Sequence, residues 1–227
     1  MKLSFRSCFV TFIHLLVILN TKAAMAIEEP KYQVLLKDKT FEVRKYEPTL
    51  LAQTTVQADM DKASSQGFRR IADFIFGNNK IADSEQESNK NSSTKIAMTA
   101  PVLTEPLAQI QDPMAHSNEW RISFVMPSEY NEKTLPKPNN KEVVITRLTE
   151  KYYAVFNYSG LNGADKVQDN SNQLVNWIQQ NNLKLIGAPK LARYDPPWTL
   201  PMFRRNEILI EIEPFDPPTN SVPLPPK

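Results

Sequence analysis

Two stretches near the start of the main body have the hydrophobic pattern of β-strands. Residues 40–46 alternate between apolar and polar positions, which is typical of a strand with one buried face. One face would carry Phe41, Val43 and Lys45, and the other Glu42, Arg44 and Tyr46. Residues 50–56 form a second extended stretch. The pattern therefore predicts two consecutive strands here.

A helix is predicted over residues 62–76. The spacing i, i+3, i+4, i+7 makes one apolar stripe on it, formed by Phe68, Ile71, Ala72 and Ile75. Asp61 is placed to cap its start and Gly77 to end it in the left-handed conformation. Gly67 costs about 1 kcal/mol inside a helix relative to Ala. We therefore expect Gly67 to allow close packing against a strand.

The remaining pattern repeats this order of elements. Residues 84–94 are polar and predict a solvated loop, and strands are predicted near residues 120–126 and 142–148. A further strand at 152–158, a helix at 165–181 and a last strand at 207–213 follow. In the last strand Ile208, Ile210 and Ile212 lie opposite Glu207. Two strand–strand–helix–strand units predict an antiparallel α+β domain with a groove between helix and sheet for a small ligand.

The first 26 residues have the pattern of a secretory signal peptide. Lys2 and Arg6 precede an apolar run at residues 8–19, and the small residues Ala24 and Ala26 predict cleavage before Ile27. The run is shorter than the about 20 residues of a membrane-spanning helix, so a membrane anchor is the less favoured alternative. We therefore expect a periplasmic or secreted protein without stable membrane insertion after cleavage, with a domain at residues 27–213.

Residues 214–227 contain six prolines without apolar periodicity. This composition predicts a disordered or polyproline tail, which is either passive or a ligand for a protein partner.

Removal of residues 1–26 changes which chemistry is available. The full chain of 227 residues has a formal net charge of +2, one Cys and two His. The removed segment carries Cys8, His14 and three basic residues, so the remainder has a charge of −1, no Cys and only His116. Disulfides, thiolate nucleophiles and His-rich metal centres are thereby excluded. Neither common nucleotide-phosphate glycine motif occurs, and the near-neutral charge gives no indication of nucleic-acid binding.

Several short segments between residues 32 and 213 resemble the SOUL haem-binding protein family. They are Phe41-Glu42-Val43-Arg44-Lys45-Tyr46, the helix at residues 67–77, Lys95-Ile96-Ala97-Met98-Thr99-Ala100-Pro101-Val102, Met126-Pro127-Ser128-Glu129-Tyr130, Tyr194-Asp195-Pro196-Pro197-Trp198 and Arg204-Arg205-Asn206-Glu207. The resemblance implies a distorted antiparallel β-barrel of two pseudo-symmetric halves flanked by two α-helices. It also implies kinship with bacterial regulator domains that bind small hydrophobic effectors.

The resemblance further implies non-covalent binding of haem or another porphyrin. The candidate ligand-binding residues are Lys45, Phe68, Arg69, Ile71, Ala72, Ile75, Met98, Tyr194, Trp198 and Glu207. From periodicity alone, the apolar stripe of the first helix is better explained as core than as a ligand surface. Some family members have a histidine in the opening strand where this chain has Lys45, so we expect haem without strong axial ligation.

Three classes of function stay open at this level. The favoured hypothesis is an exported carrier or buffer for haem or a similar flat hydrophobic molecule. The alternative is a small-molecule-binding domain with hydrolase-type activity centred on Glu207, since carboxylates can serve as general bases. The third is an interaction protein that uses the Pro-rich tail. The residue types favour binding by shape over catalysis.

Overall fold

The computed structural model describes residues 27–81, 92–108 and 111–216. Within these ranges the chain forms a nine-stranded antiparallel sheet, a separate two-stranded ribbon and three α-helices. The sheet strands are β1 Tyr32–Asp38, β2 Phe41–Tyr46, β3 Thr49–Gln57, β5 Val102–Pro106, β6 Glu119–Val125, β8 Val144–Leu148, β9 Lys151–Tyr158, β10 Lys190–Arg193 and β11 Asn206–Ile212. The ribbon is β4 Asn79–Lys80 with β7 Lys137–Pro138, and the helices are α1 Met60–Ile75, α2 Pro113–His116 and α3 Ala164–Gln180.

The strand order shows the expected two halves. It runs β1-β2-β9-β11-β10-β5-β6-β3-β8, with a centre of pseudo-symmetry between β10 and β5. Around that centre β9-β11-β10 mirrors β3-β6-β5, and each half donates its first strand, β2 or β8, to the other half. The α+β class is therefore confirmed. The sheet keeps two edges, at β1 and β8, so it is a curled half-barrel rather than the barrel that the resemblance implied.

The sheet has one concave face and one face covered by helices. A narrow cavity of about 50 Å³ is lined by residues from eight of the nine strands, including Tyr46, Leu103, Tyr153 and Leu209. Side chains from so many strands meet at one point only because the sheet curls around it. We call this side the concave face and the other the helix face. The main hydrophobic core lies on the helix face, beneath α1 and α3.

The start of α1 differs from the prediction, and its end agrees with it. Asp59, not Asp61, is the N-cap, and its carboxylate accepts a hydrogen bond from the Lys62 backbone N–H at 2.9 Å. The apolar pattern missed the first turn because Met60 is followed by polar residues, yet Met60 is buried. Gly77 adopts a φ of 126°, which confirms its role as the left-handed stop.

Gly67 has the close contact that its helical position predicted. A Cβ atom added there would lie 2.3 Å from Cγ1 of Ile122, a fully buried residue of β6. Glycine therefore allows α1 to approach the sheet directly.

Helix α3 agrees with the predicted range 165–181 to within one residue at each end. The short helix α2 was not predicted. Asp112 opens this single turn with a φ of 50°, and Pro113 occupies its first position. Pro113 suits a first helical turn because its fixed φ is helical and it needs no N–H partner there. The expected pair of helices therefore becomes three. His116 ends α2 and is exposed.

The alternation in β2 was misread as a strand with one buried face. Phe41 and Val43 pack on the helix face, but Glu42, Arg44 and Tyr46 are also buried, on the concave face. Polar residues can lie inside here because they pair with one another. The signal peptide, most of the 84–94 loop and most of the tail lie outside the described residues, so those expectations stay predictions.

Candidate ligand-binding site

The concave face contains a buried cluster of charges centred on Arg44. The Arg44 guanidinium donates from Nη1 to Glu207 Oε2 at 2.8 Å and from Nε to Glu42 Oε2 at 2.7 Å. The Tyr194 hydroxyl donates to the same Glu207 oxygen at 2.7 Å. Arg44 and Glu207 are only 2% and 1% exposed. The predicted pair Tyr194 and Glu207 is therefore brought together, but it is inside the protein.

Each charge in this cluster is compensated by a neighbour. Burial would lower the pKa of Arg44, but Tyr46 and Glu207 raise it above its ordinary value. Burial raises the pKa of Tyr194 well above 10, so its hydroxyl stays protonated and donates to Glu207. Because both Glu207 oxygens accept hydrogen bonds from Arg44, the carboxylate is neither solvent-facing nor open to a ligand.

A larger cavity, of about 380 Å³, opens at one end of the concave face. The N-terminal segment 28–31 forms one wall, and part of the predicted Met126–Tyr130 motif forms another. Four carboxylates line it against two cations; these residues are Glu28, Glu29, Glu47, Glu132, Lys31 and Arg147. Its excess of negative charge opposes an anionic ligand such as a porphyrin with ionised propionates.

On the helix face, the predicted apolar stripe of α1 divides into two parts. Ile71, Ala72 and Ile75 are buried in the core, as the alternative interpretation of the stripe held. Phe68 is 38% exposed and packs its ring against that of Phe124, with 5.2 Å between the ring centres. The stripe thus anchors the helix and leaves one aromatic ring open to solvent.

A groove runs between the two long helices. Helix α1 packs on β3, β6 and β5, and α3 packs on β9 and β11, so β10 lies between the areas that they cover. The short helix α2 packs on both α3 and β5 and covers part of this interval. One row of cross-strand partners crosses this floor from Phe124 on β6 to Val102 on β5 and Arg193 on β10. We define the inter-helix groove by these three residues and by Phe68, which borders it.

Met98 borders the same groove at its open end. The Ile96 N–H donates to the Ile75 carbonyl at 2.8 Å, so the segment from Ile96 to Val102 runs from the end of α1 to the start of β5. Met98 lies on this segment and is 40% exposed. Arg69, one residue after Phe68, is exposed and forms no hydrogen bond or ion pair within the described part of the chain.

Trp198 lies on an apolar loop at the same end of the sheet. The loop leaves β10 after Arg193 and returns at Asn206. Trp198 is 81% exposed, and further exposed apolar residues follow it, namely Leu200, Met202 and Phe203. Arg204 holds the loop by donating from Nε to the Thr199 carbonyl at 2.8 Å.

Lys45 is separated from these residues. Its Nζ pairs with Glu150 at 3.0 Å, and β9 and β11 lie between its strand and β10. The hydrogen bond from Lys45 to Glu150 raises the pKa of Lys45, so the amine stays protonated and has no lone pair for a metal. Within the described ranges, no three His, Cys, Asp or Glu side chains are grouped so that they could hold a metal ion.

Two arginines were not among the predicted site residues. Arg44 lies at the centre of the charge cluster on the concave face, and Arg193 lies in the inter-helix groove. Arg44 lies on the polar face of β2 and Glu207 on the polar face of β11, so matching these faces could have suggested their pairing. Arg193 follows Leu191 on the apolar face of β10. A charge at an apolar-face position is the signal that could have found it, but β10 itself was not predicted.

No helix in the described part of the chain has the length and apolarity needed to cross a bilayer.

Solved structures show that this fold is shared by distant proteins. The C-terminal domain of EcmrR superposes with a TM-score of 0.56 at 12% identity, over 80% of this chain and 98% of that one. A hydrolase from Listeria innocua superposes with a TM-score of 0.51 at 12% identity, over 77% and 92% of the two chains. At these identities the likeness concerns the fold alone. A comparison with curated proteins found no significant match.

The sequence also matches a family model. The model describes the SOUL heme-binding protein family, and it matches residues 27–211, which include the strands of both faces and the inter-helix groove. The chain therefore belongs to the SOUL haem-binding protein family.

Proposed function

We propose that the protein is an exported binding protein for haem or another tetrapyrrole, acting as a carrier or buffer without strong axial ligation. The observation that carries this proposal is the inter-helix groove, in which Val102 lies between the cationic Arg193 on one neighbouring strand and Phe124 on the other. Phe124 in turn contacts the exposed ring of Phe68. A flat apolar molecule with carboxylates at one edge matches that combination. Family membership supports the same class of ligand.

The two cavities of the concave face suit a tetrapyrrole less well. The inner cavity, at about 50 Å³, is far below the roughly 300–1,000 Å³ of ordinary ligand pockets. The end cavity has enough volume, but its four carboxylates oppose the propionates. The four residues that define the inter-helix groove include no carboxylate, and Phe68 among them is 38% exposed.

The residues around the groove fit a tetrapyrrole that is held by stacking and charge. Phe68 and Met98 would contact the macrocycle, and Arg193 and Arg69 would attract its carboxylates. A bound haem would supply an iron centre whose coordination these residues do not complete. His116 is exposed at the end of α2, which packs on α3 and β5, and Lys45 is held by Glu150. The Met98 thioether is the remaining weak donor at the groove.

The hydrolase alternative finds less support. A general base needs a carboxylate that can reach a substrate proton, but both oxygens of Glu207 are engaged by Arg44 in the interior. Sharing a fold with a hydrolase at 12% identity does not show that this chain has hydrolase activity. Export rests on the sequence pattern of residues 1–26.

Absorbance-monitored titration of the purified protein with haemin and with a metal-free porphyrin tests the proposal. We expect saturable binding of both with a Kd below about 10 μM, about −7 kcal/mol. Phe68→Ala should weaken both affinities about fivefold, because about 1 kcal/mol of apolar contact is lost. Val144→Ala is the control, since Val144 is an exposed apolar residue, at 56% against 38% for Phe68, on the edge strand β8.

Two results would contradict the proposal. Absence of a saturable shift below about 10 μM would exclude tetrapyrrole binding as the function. A sharp low-spin, bis-ligated haem spectrum would show that the protein supplies strong axial ligands after all.

A further inference from the structure

We propose that Arg193 is the residue of the inter-helix groove that selects ligands bearing a carboxylate. This inference rests on the proposed function and adds to it the chemical group that the groove recognises. Arg193 was not among the residues that the family motifs pointed to.

The charge of Arg193 has no partner of opposite sign in contact with it. Its guanidinium donates from Nη2 to the Thr104 hydroxyl at 3.0 Å, and it forms no ion pair with any described residue. Other arginines on this sheet do form ion pairs: Arg44 with Glu207 at 2.8 Å and Arg121 with Glu105 at 3.2 Å. A half-buried cation without an anion is unfavourable, and a ligand anion would remove that cost.

The side chains that hydrogen-bond to Arg193 or pair with it across the strands are neutral, and the Asp61 carboxylate of α1 is the negative charge that acts on it. Thr104 also lies 3.4 Å from the Ser64 hydroxyl of α1, and Asn206 is the cross-strand partner of Arg193 on β11. Tyr158 follows in the same row on β9. Burial lowers the pKa of Arg193, and the more distant charge of Asp61 on α1 only partly offsets this. The site is therefore cationic but lacks a built-in carboxylate.

The position of Arg193 beside an apolar surface defines the shape of the ligand. Its strand neighbour is Val102, whose own neighbour is Phe124 beneath the Phe68 ring. Adjacent strands are about 4.8 Å apart, so the charge lies about 5–10 Å from the apolar floor. A ligand with a flat apolar body and a carboxylate at its edge can contact both at once.

A comparison of two porphyrins isolates this contact. Protoporphyrin carries two carboxylates, and its dimethyl ester presents the same macrocycle without them. We expect the protein to bind protoporphyrin about tenfold more tightly than the ester, and Arg193→Gln to remove most of that preference while leaving ester affinity unchanged. Arg193→Lys should keep part of the preference, because it retains the charge but loses the bidentate geometry.

Arg121→Gln is the matched control, since it removes the same charge from the concave face. It should leave the preference intact. Arg193→Gln should also fold normally, as no buried carboxylate loses its partner, and thermal unfolding checks this.

The outcomes separate the inference from the proposed function. Equal loss of affinity for both porphyrins in Arg193→Gln, or an unchanged preference, would overturn the role of Arg193 and leave tetrapyrrole binding standing. Failure of the unaltered protein to bind either porphyrin would overturn the proposed function and this inference together.

Discussion

At the scale of single residues, two arginines on opposite faces of the sheet have opposite electrostatic environments. Arg44 lies within hydrogen-bond distance of two carboxylates, so its charge is compensated inside the protein. Arg193 contacts only a hydroxyl. A compensated charge serves the stability of the fold, whereas an uncompensated one costs stability and is available to a ligand. This contrast is why we assign stability to Arg44 and recognition to Arg193.

Replacing Arg44 should be strongly destabilising. Arg44→Met leaves Glu42 with only the exposed Lys37 and the buried Glu207 with only Arg205 at 3.7 Å, and we expect the free energy of unfolding to fall by about 3–5 kcal/mol. Urea denaturation measures this change. As a control, Arg147→Met breaks the exposed pair with Glu132 and should cost less than about 1 kcal/mol. A loss below about 1 kcal/mol in Arg44→Met would show that the cluster contributes little to stability.

At the scale of elements, α1 combines a structural and a binding role in one helix. Gly67 and Ile71 bring its inner side against the sheet, while Phe68 remains open at the groove. The helix must therefore keep its rotation relative to the sheet for the groove to keep its shape. Its N-terminal cap contributes to that stability.

The position of the cap can be tested directly. Asp59→Ala removes the hydrogen bond to the Lys62 N–H and should lower the free energy of unfolding, because Ala cannot cap the helix. Asp61→Ala removes a carboxylate from the first turn without removing a cap, so the loss should be smaller. Thermal unfolding of both variants provides the measurement. A larger loss in Asp61→Ala would indicate that the helix begins at the position expected from the sequence.

At the scale of the whole molecule, the curled sheet separates two environments. The concave face holds compensated charges and tyrosines, and the helix face holds the main core and the groove. The candidate residues therefore fall into two groups that cannot share one ligand: Glu207 and Tyr194 on one side, and Phe68 and Met98 on the other.

The buried tyrosines predict a late alkaline titration. Burial raises the pKa of Tyr158 to about 12 and also raises that of Tyr153. An unfolded tyrosine titrates near 10. The folded state is therefore stabilised in full by the neutral tyrosines below about pH 10, and this contribution to the free energy of unfolding is lost as the pH rises towards 12. Tyrosinate absorbance of the native protein should thus rise later than that of the urea-unfolded chain. Coincident curves near pH 10 would contradict the burial of these rings.

The sequence predicted the elements better than it predicted the site. Alternation and helical spacing located both long helices, and Gly67 and Gly77 had the roles that their positions suggested. Local patterns suffice for such features because each depends on residues a few positions apart. The short helix α2 and strand β10 were missed, since their stability comes from packing and pairing with distant residues.

The sequence by itself determined the α+β class, the repeated order of elements and the family, because hydrophobic periodicity and short motifs are local properties. Only the tertiary structure decided that Glu207 is occupied by Arg44, that Ile71 and Ile75 belong to the core, and that Arg193 lies beside Val102. Those facts depend on contacts between residues up to 163 positions apart. The curl of the sheet creates these contacts, and it follows from the pairing of all nine strands together rather than from any one of them.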